Sequence, residues 1–232
     1  MPFKITKFVP IPNAIAVSAQ SQFACCVMDL FRQVRPRRII ETGTYLGVGT
    51  TAAIGLALRQ WQIHDAHFFT IEVNPKRHAV AVENVRKQGF NAAVLLGLSV
   101  PRRLLPTNDD IRKNLVDTEI DGVFVDHLPQ ERVDLYREET DFPDVEDDLL
   151  GKCLKHFEYE PEFLLLDSAG HMGNIEFNYV VPQLKNRCYF GLDDTNHVKH
   201  YANVQQMKAD PRFRIIFESQ EKFGFCFAEF NP

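Results

Sequence analysis

Between Arg37 and Gly49 the chain reads RRIIETGTYLGVG, and this stretch leaves few options for the fold. Ile39 and Ile40 are a short apolar run of strand type. Glu41 follows, and Gly43 and Gly47 then punctuate a turn. From Val48 onward Thr50, Thr51, Ala52, Ala53, Ile54, Leu56, Ala57 and Leu58 predict a helix. A strand, a glycine turn and a helix in succession open a doubly wound α/β sheet. The glycines permit positive φ and let a ligand approach the backbone closely. The helix start presents unpaired N–H groups.

The turn excludes two common ligands. A dinucleotide fingerprint, G-x-G-x-x-G, would place its second glycine on Tyr45. A P-loop needs a lysine followed by Ser or Thr after its last glycine, and no lysine stands there. What remains is E-x-G-x-x-x-G, with an acid suited to a cationic ligand. It resembles motif I of the class I S-adenosylmethionine-dependent methyltransferases. The resemblance implies that Glu41 faces the methionine ammonium and that Gly43, Thr44, Tyr45 and Gly47 pass beside the carboxypropyl chain.

Further along, His67 to Ile71 predict a second strand ending at Glu72, with Val73 next to it. Pro75 opens a helix, its favoured place, and Gly89 closes it. An acid ending the second strand binds ribose hydroxyls in dinucleotide folds, and the resemblance gives Glu72 the same task. Ala93 to Leu96 form a third strand, after which Gly97 and Ser99 border the adenine in the family's arrangement. Leu98 stands where a polar residue is usual. Phe163 to Leu166 and Tyr189 to Leu192 predict a fourth and a fifth strand, with helices between. Phe213–Glu218 and Phe223–Phe230 follow as two strands whose short link permits only an antiparallel pair. The expected fold is therefore α/β: a doubly wound, mostly parallel seven-stranded sheet with a C-terminal antiparallel hairpin, the Rossmann-like methyltransferase fold.

Residues 1–36 read as an arm followed by a helix within 14–34, and residues 37–232 as the methyltransferase domain. An insertion at about 100–143 lies outside the resemblance. It holds a helix near Asp109–Val116, a strand near Ile120–Val125 and an acidic stretch with Glu131, Asp134, Glu138, Glu139 and Asp141, read as a lid, an oligomer contact or a solvated face.

In open α/β sheets ligands lie beyond the carboxyl ends of the strands. Asp167 ends the fourth strand and Asp193–Asp194 the fifth. Two carboxylates about 4 Å apart repel by roughly 4 kcal/mol at an effective dielectric near 20. Three so placed call for a cation or for protons, and all-oxygen ligands suit Mg²⁺. The trio resembles the metal site of the cation-dependent O-methyltransferases of catechol and macrocin type. That resemblance makes Asp167, Asp193 and Asp194 metal ligands, places Asp167 beside the cofactor, and points to His171 or an aspartate as the base. His127, His197 and His200 are rivals.

The net charge of −5 with no long basic run speaks against a nucleic-acid partner. The five cysteines are an odd, scattered set without C-x-x-C spacing, which fits reduced thiols in a cytoplasmic protein. No run approaches the roughly 18 apolar residues of a membrane span, and the N-terminal stretch has no apolar core of signal-peptide type. The expected partner is a small-molecule acceptor, with a homo-oligomer open. The favoured reading is methyl transfer from S-adenosylmethionine to a hydroxyl of that acceptor, assisted by Mg²⁺. Metal-free transfer to nitrogen or carbon, an NAD-dependent oxidoreductase and a non-catalytic binding protein of the same fold are the competing readings.

Overall fold

The structure is a computed structural model that describes residues 21–113, 123, 129–221 and 223–232. Seven strands among these residues form one sheet in the order β3-β2-β1-β4-β5-β7-β6. The strands are β1 (Arg38–Thr42), β2 (His67–Glu72), β3 (Ala93–Leu96), β4 (Phe163–Leu166), β5 (Cys188–Asp193), β6 (Phe213–Ser219) and β7 (Phe225–Phe230). The first five run parallel, and β7 lies antiparallel between β5 and β6. The chain winds outward from β1 to β3, then returns to lay β4 on the other side of β1. The reversal puts a crevice above the adjoining ends of β1 and β4.

Side chains alternate between the faces as the two-residue strand period requires. Ile40, Leu164, Leu166, Phe190 and Leu192 join one core, while Ile39, Phe163 and Leu165 join the other. The second core is closed by α1 (Gln22–Val34) and α2 (Thr50–Gln60), the first by α6 (Leu149–His156), α7 (Met172–Val180) and α8 (Tyr201–Ala209). Ser21 caps α1 by accepting the Ala24 N–H at 3.2 Å. The Trp61 indole N–H donates to the Met28 carbonyl at 2.8 Å and ties α2 to α1.

The expected caps of α3 (Pro75–Gln88) are present: Pro75 at its first turn and Gly89 at φ +70. Asp148, at φ 58, turns the chain and accepts the Gly151 N–H, so α6 begins at Leu149. Residues 14–20 of the first expected helix and the expected strand at 120–125 lie outside the described residues, apart from Val123. Within the region read as an insertion, α4 (Asn108–Lys113) and α5 (Pro129–Thr140) build a small core from Ile111, Val133 and Tyr136 with Val100 and Met172. None of the five cysteines forms a disulfide. No helix among the described residues is long and apolar enough to cross a membrane.

Candidate active site

Beneath the glycine turn lies a buried polar cluster. Glu41 is 0% exposed, and its Oε2 accepts hydroxyl hydrogens from Thr51 and Thr70, each at 2.6 Å. The hydroxyls of Thr44 and Thr70 are 2.5 Å apart. Glu41 Oε1 has no hydrogen-bond partner among the described residues. Burial pushes the Glu41 carboxyl up to about 7, against the threonine hydrogen bonds that favour the ion. The structure thus places Glu41 below the turn, away from the cavity described next.

Glu72 ties the turn to β2. Its Oε2 accepts the Tyr45 N–H at 2.7 Å and its Oε1 the Asn74 N–H at 2.9 Å. It is nearly buried, and burial raises its pKa above the usual carboxylate value. Gly43 (φ +79) and Gly47 (φ +69) both use the conformation that favours glycine. At Gly43 a Cβ would lie 2.5 Å from the Asp167 carbonyl carbon and closer still to its oxygen. The close approach this glycine allows is therefore that of the chain's own backbone after β4. Gly47 packs on α3, where a Cβ would stand 3.3 Å from Val85 Cγ2.

Two cavities flank the loop that follows β4. The first is lined by Gly43, Glu72, Val73, Gly97, Ser99 and Ser168, with Glu139 from α5 and Met172 at its edge. Sequence reasoning names the first five of these residues as neighbours of one ligand. Leu98 lines it as well, but its N–H and C=O are taken by the Glu146 carbonyl and the Leu149 N–H. Arg77 pairs with Glu139 at 2.6 Å and stacks over the Tyr45 ring at 5.1 Å, so α5 borders this cavity. The second cavity, of about 210 Å³, is lined by Ala169, Gly170, His171 and Val198 and by Arg132, Leu135 and Tyr136 of α5. The Tyr136 hydroxyl donates to the Pro106 carbonyl at 2.8 Å. The acidic stretch is thus a cavity wall, with Val133, Tyr136 and Thr140 on its buried side.

The strand-end aspartates do come together. One carboxylate oxygen from each of Asp167, Asp193 and Asp194 lies within 4.8 Å of the other two. A residue that sequence reasoning passed over joins them. The Lys199 Nζ lies 2.6 Å from Asp167 Oδ1 and 3.1 Å from Asp194 Oδ2, with its side chain only 3% exposed. Burial works against the ammonium, but the charges of Asp167, Asp194 and Asp193 outweigh it and hold its pKa above the ordinary lysine value. Burial, then the Asp167 charge, pushes the Asp193 carboxyl up to about 8. Asp167 Oδ2 also accepts the Thr50 hydroxyl at 3.1 Å. His171, the expected base, stands immediately before α7, is 4% exposed and lines the second cavity. His200 instead is buried with Nε2 at 2.9 Å from the Leu166 carbonyl, and burial lowers its pKa well below the usual value.

Glu176 is the other missed residue. It is fully buried on α7 and accepts the hydroxyls of Thr42 and Ser168, each at 2.7 Å, which fastens the loop after β4 to the end of β1. A lone acid between Ile175 and Phe177 was its only signal.

No family model matches the chain, and no curated protein matches it in sequence. Solved structures do share its architecture. An O-methyltransferase from Bacillus cereus, in complex with S-adenosylhomocysteine, aligns with a TM-score of 0.56 at 15% identity, over 95% of this chain and 84% of that one. TomG, an O-methyltransferase from Streptomyces achromogenes involved in tomaymycin synthesis, solved with S-adenosylmethionine, aligns at 0.53 and 15% identity, over 94% and 82%. The chain therefore has the Rossmann-like methyltransferase fold, the seven-stranded sheet with its terminal hairpin included.

Proposed function

We propose that this chain is an S-adenosylmethionine-dependent methyltransferase that acts on a hydroxyl of a small molecule. The observation that carries the reading is the pair of cavities meeting at the loop after β4. One is bordered by the glycine turn and the acid ending β2, the other by an apolar wall on α5. The fold is shared with O-methyltransferases solved with this cofactor or its product.

The donor set around the first cavity fits the cofactor. Glu72 offers carboxylate oxygens for ribose hydroxyls and holds the turn through the Tyr45 N–H. Gly97 and Ser99 border the adenine side. Glu41 sets the turn from beneath through Thr51, Thr70 and Thr44. When bound, the cofactor supplies a methyl group on a sulfonium, whose carbon–sulfur bond breaks with both electrons left on sulfur. The acceptor oxygen forms the new bond to carbon and must lose its proton. His171, at the wall of the second cavity, is the group we assign to take it. Arg132, Leu135 and Tyr136 exclude water from the acceptor and orient it.

Mg²⁺ assistance, expected from the three aspartates, meets a competitor. The oxygens are the right donors for a hard cation. Yet the Lys199 ammonium already lies against two of them. A divalent ion does not fit beside it, and no step of this reading runs through one.

Calorimetric titration tests the reading. S-adenosylhomocysteine should bind in the micromolar range and NAD should give no heat. The opposite pattern would remove the methyltransferase reading. Glu72→Ala leaves the Tyr45 N–H without its carboxylate and takes away the ribose acceptor. It should weaken S-adenosylhomocysteine by about 1–3 kcal/mol, the usual range for losing one partner of a buried polar group. Unchanged affinity in that variant would place the cofactor elsewhere.

A further inference from the structure

We infer that the Lys199 ammonium is the resident cation of the aspartate cluster and the donor that holds the acceptor oxygen, so that methyl transfer in this protein runs without a divalent ion. This rests on the methyltransferase reading for the acceptor, but not for the cation.

Three observations carry it. The ammonium contacts Asp167 and Asp194, two of the three carboxylates a metal would need. A magnesium ion bound at about 2.1 Å from those oxygens would stand within touching distance of Nζ, cation against cation. Secondly, the lysine cannot swing aside. A Cβ on Gly173 would come 2.8 Å from Lys199 Cγ, so the aliphatic stem is packed directly against the backbone of α7. Its own N–H donates to His197 Nδ1 at 3.2 Å, and the next residue, His200, is anchored on Leu166. The side chain is built into the core rather than folded over from solvent. Thirdly, an ammonium has three hydrogens, and two are taken by Asp167 and Asp194. Val198, the residue before Lys199, lines the acceptor cavity, as does Ala169, two residues after Asp167. The remaining hydrogen is the one we assign to the acceptor oxygen, where the positive charge stabilises the negative charge that grows as its proton leaves.

Mn²⁺ binding, read by electron paramagnetic resonance on the protein alone, decides the matter without any turnover. Wild type should bind Mn²⁺ no tighter than millimolar at this site. Lys199→Ala removes the resident cation and should gain one equivalent of Mn²⁺ at least about tenfold tighter. That gain should vanish in the double variant Lys199→Ala/Asp193→Asn. One equivalent bound to wild type in the micromolar range, and lost in Asp193→Asn, would overturn the inference. If Lys199→Ala does not fold, the wild-type titration by itself separates the two outcomes. S-adenosylhomocysteine titrated into the same wild-type sample tests the proposed function separately, so the two can fail independently.

Discussion

Gly43→Ala is expected to destabilise the protein by roughly 2–6 kcal/mol and to abolish cofactor binding with it. Two costs add. A non-glycine residue held in a left-handed conformation costs about 1–3 kcal/mol, and Gly43 sits at φ +79. Forcing extra volume into a packed site costs typically about 1–3 kcal/mol more. The new Cβ would press on the Asp167 carbonyl and stand 2.8 Å from the Ser168 nitrogen, atoms of the backbone that no rotamer change can clear. The end of β4 would have to move, carrying with it the Asp167 carboxylate and the loop shared by both cavities. Gly47→Ala is the internal control. Its φ of +69 brings the first cost, but its nearest neighbour is a Val85 methyl at 3.3 Å that can give way. Urea unfolding midpoints should rank wild type above Gly47→Ala and Gly47→Ala above Gly43→Ala. Equal midpoints for the two variants would mean that the approach of β4 to the turn costs nothing to disturb.

This glycine also shows how far the sequence reaches. Its position after a strand and before a helix announces a tight turn, but what fills the space beside it comes from residue 167, more than a hundred positions away. Local signals were legible wherever the physics is local. The apolar run of β4, the Pro75 and Gly89 ends of α3 and the short link between β6 and β7 all read correctly. The strand order was not legible, since β7 enters between β5 and β6 through long-range pairing. In α5 the acidic residues drew attention away from Val133, Tyr136 and Thr140, whose helical spacing marks the buried face. The three aspartates were found because each ends a strand. Lys199 and Glu176 escaped because a buried charge is recognised by its partners, and theirs lie on other elements.

The buried Glu41 carboxyl predicts a pH dependence of stability with a definite sign. Its pKa in the folded protein is pushed up to about 7 from an ordinary 4.5. The folded state therefore holds a proton that the unfolded chain releases. The contribution of Glu41 is fully present below pH 4.5 and is lost as pH rises through about 7. At 1.36 kcal/mol per pKa unit the loss is roughly 3 kcal/mol. Glu41→Gln keeps the neutral form at every pH and preserves the oxygen that accepts from Thr51 and Thr70. Its amide nitrogen replaces the partnerless Oε1, a penalty that does not vary with pH. Glu72, Asp167, Glu176 and Asp193 also have raised pKa values and tilt the stability of both proteins alike. The difference between wild type and variant thus isolates Glu41. From urea unfolding at pH 5, 6, 7 and 8, the variant should gain on wild type by up to roughly 3 kcal/mol across the series. A difference that stays constant over that range would mean the carboxylate is ionised in the fold, with its charge met by a group other than the three threonines.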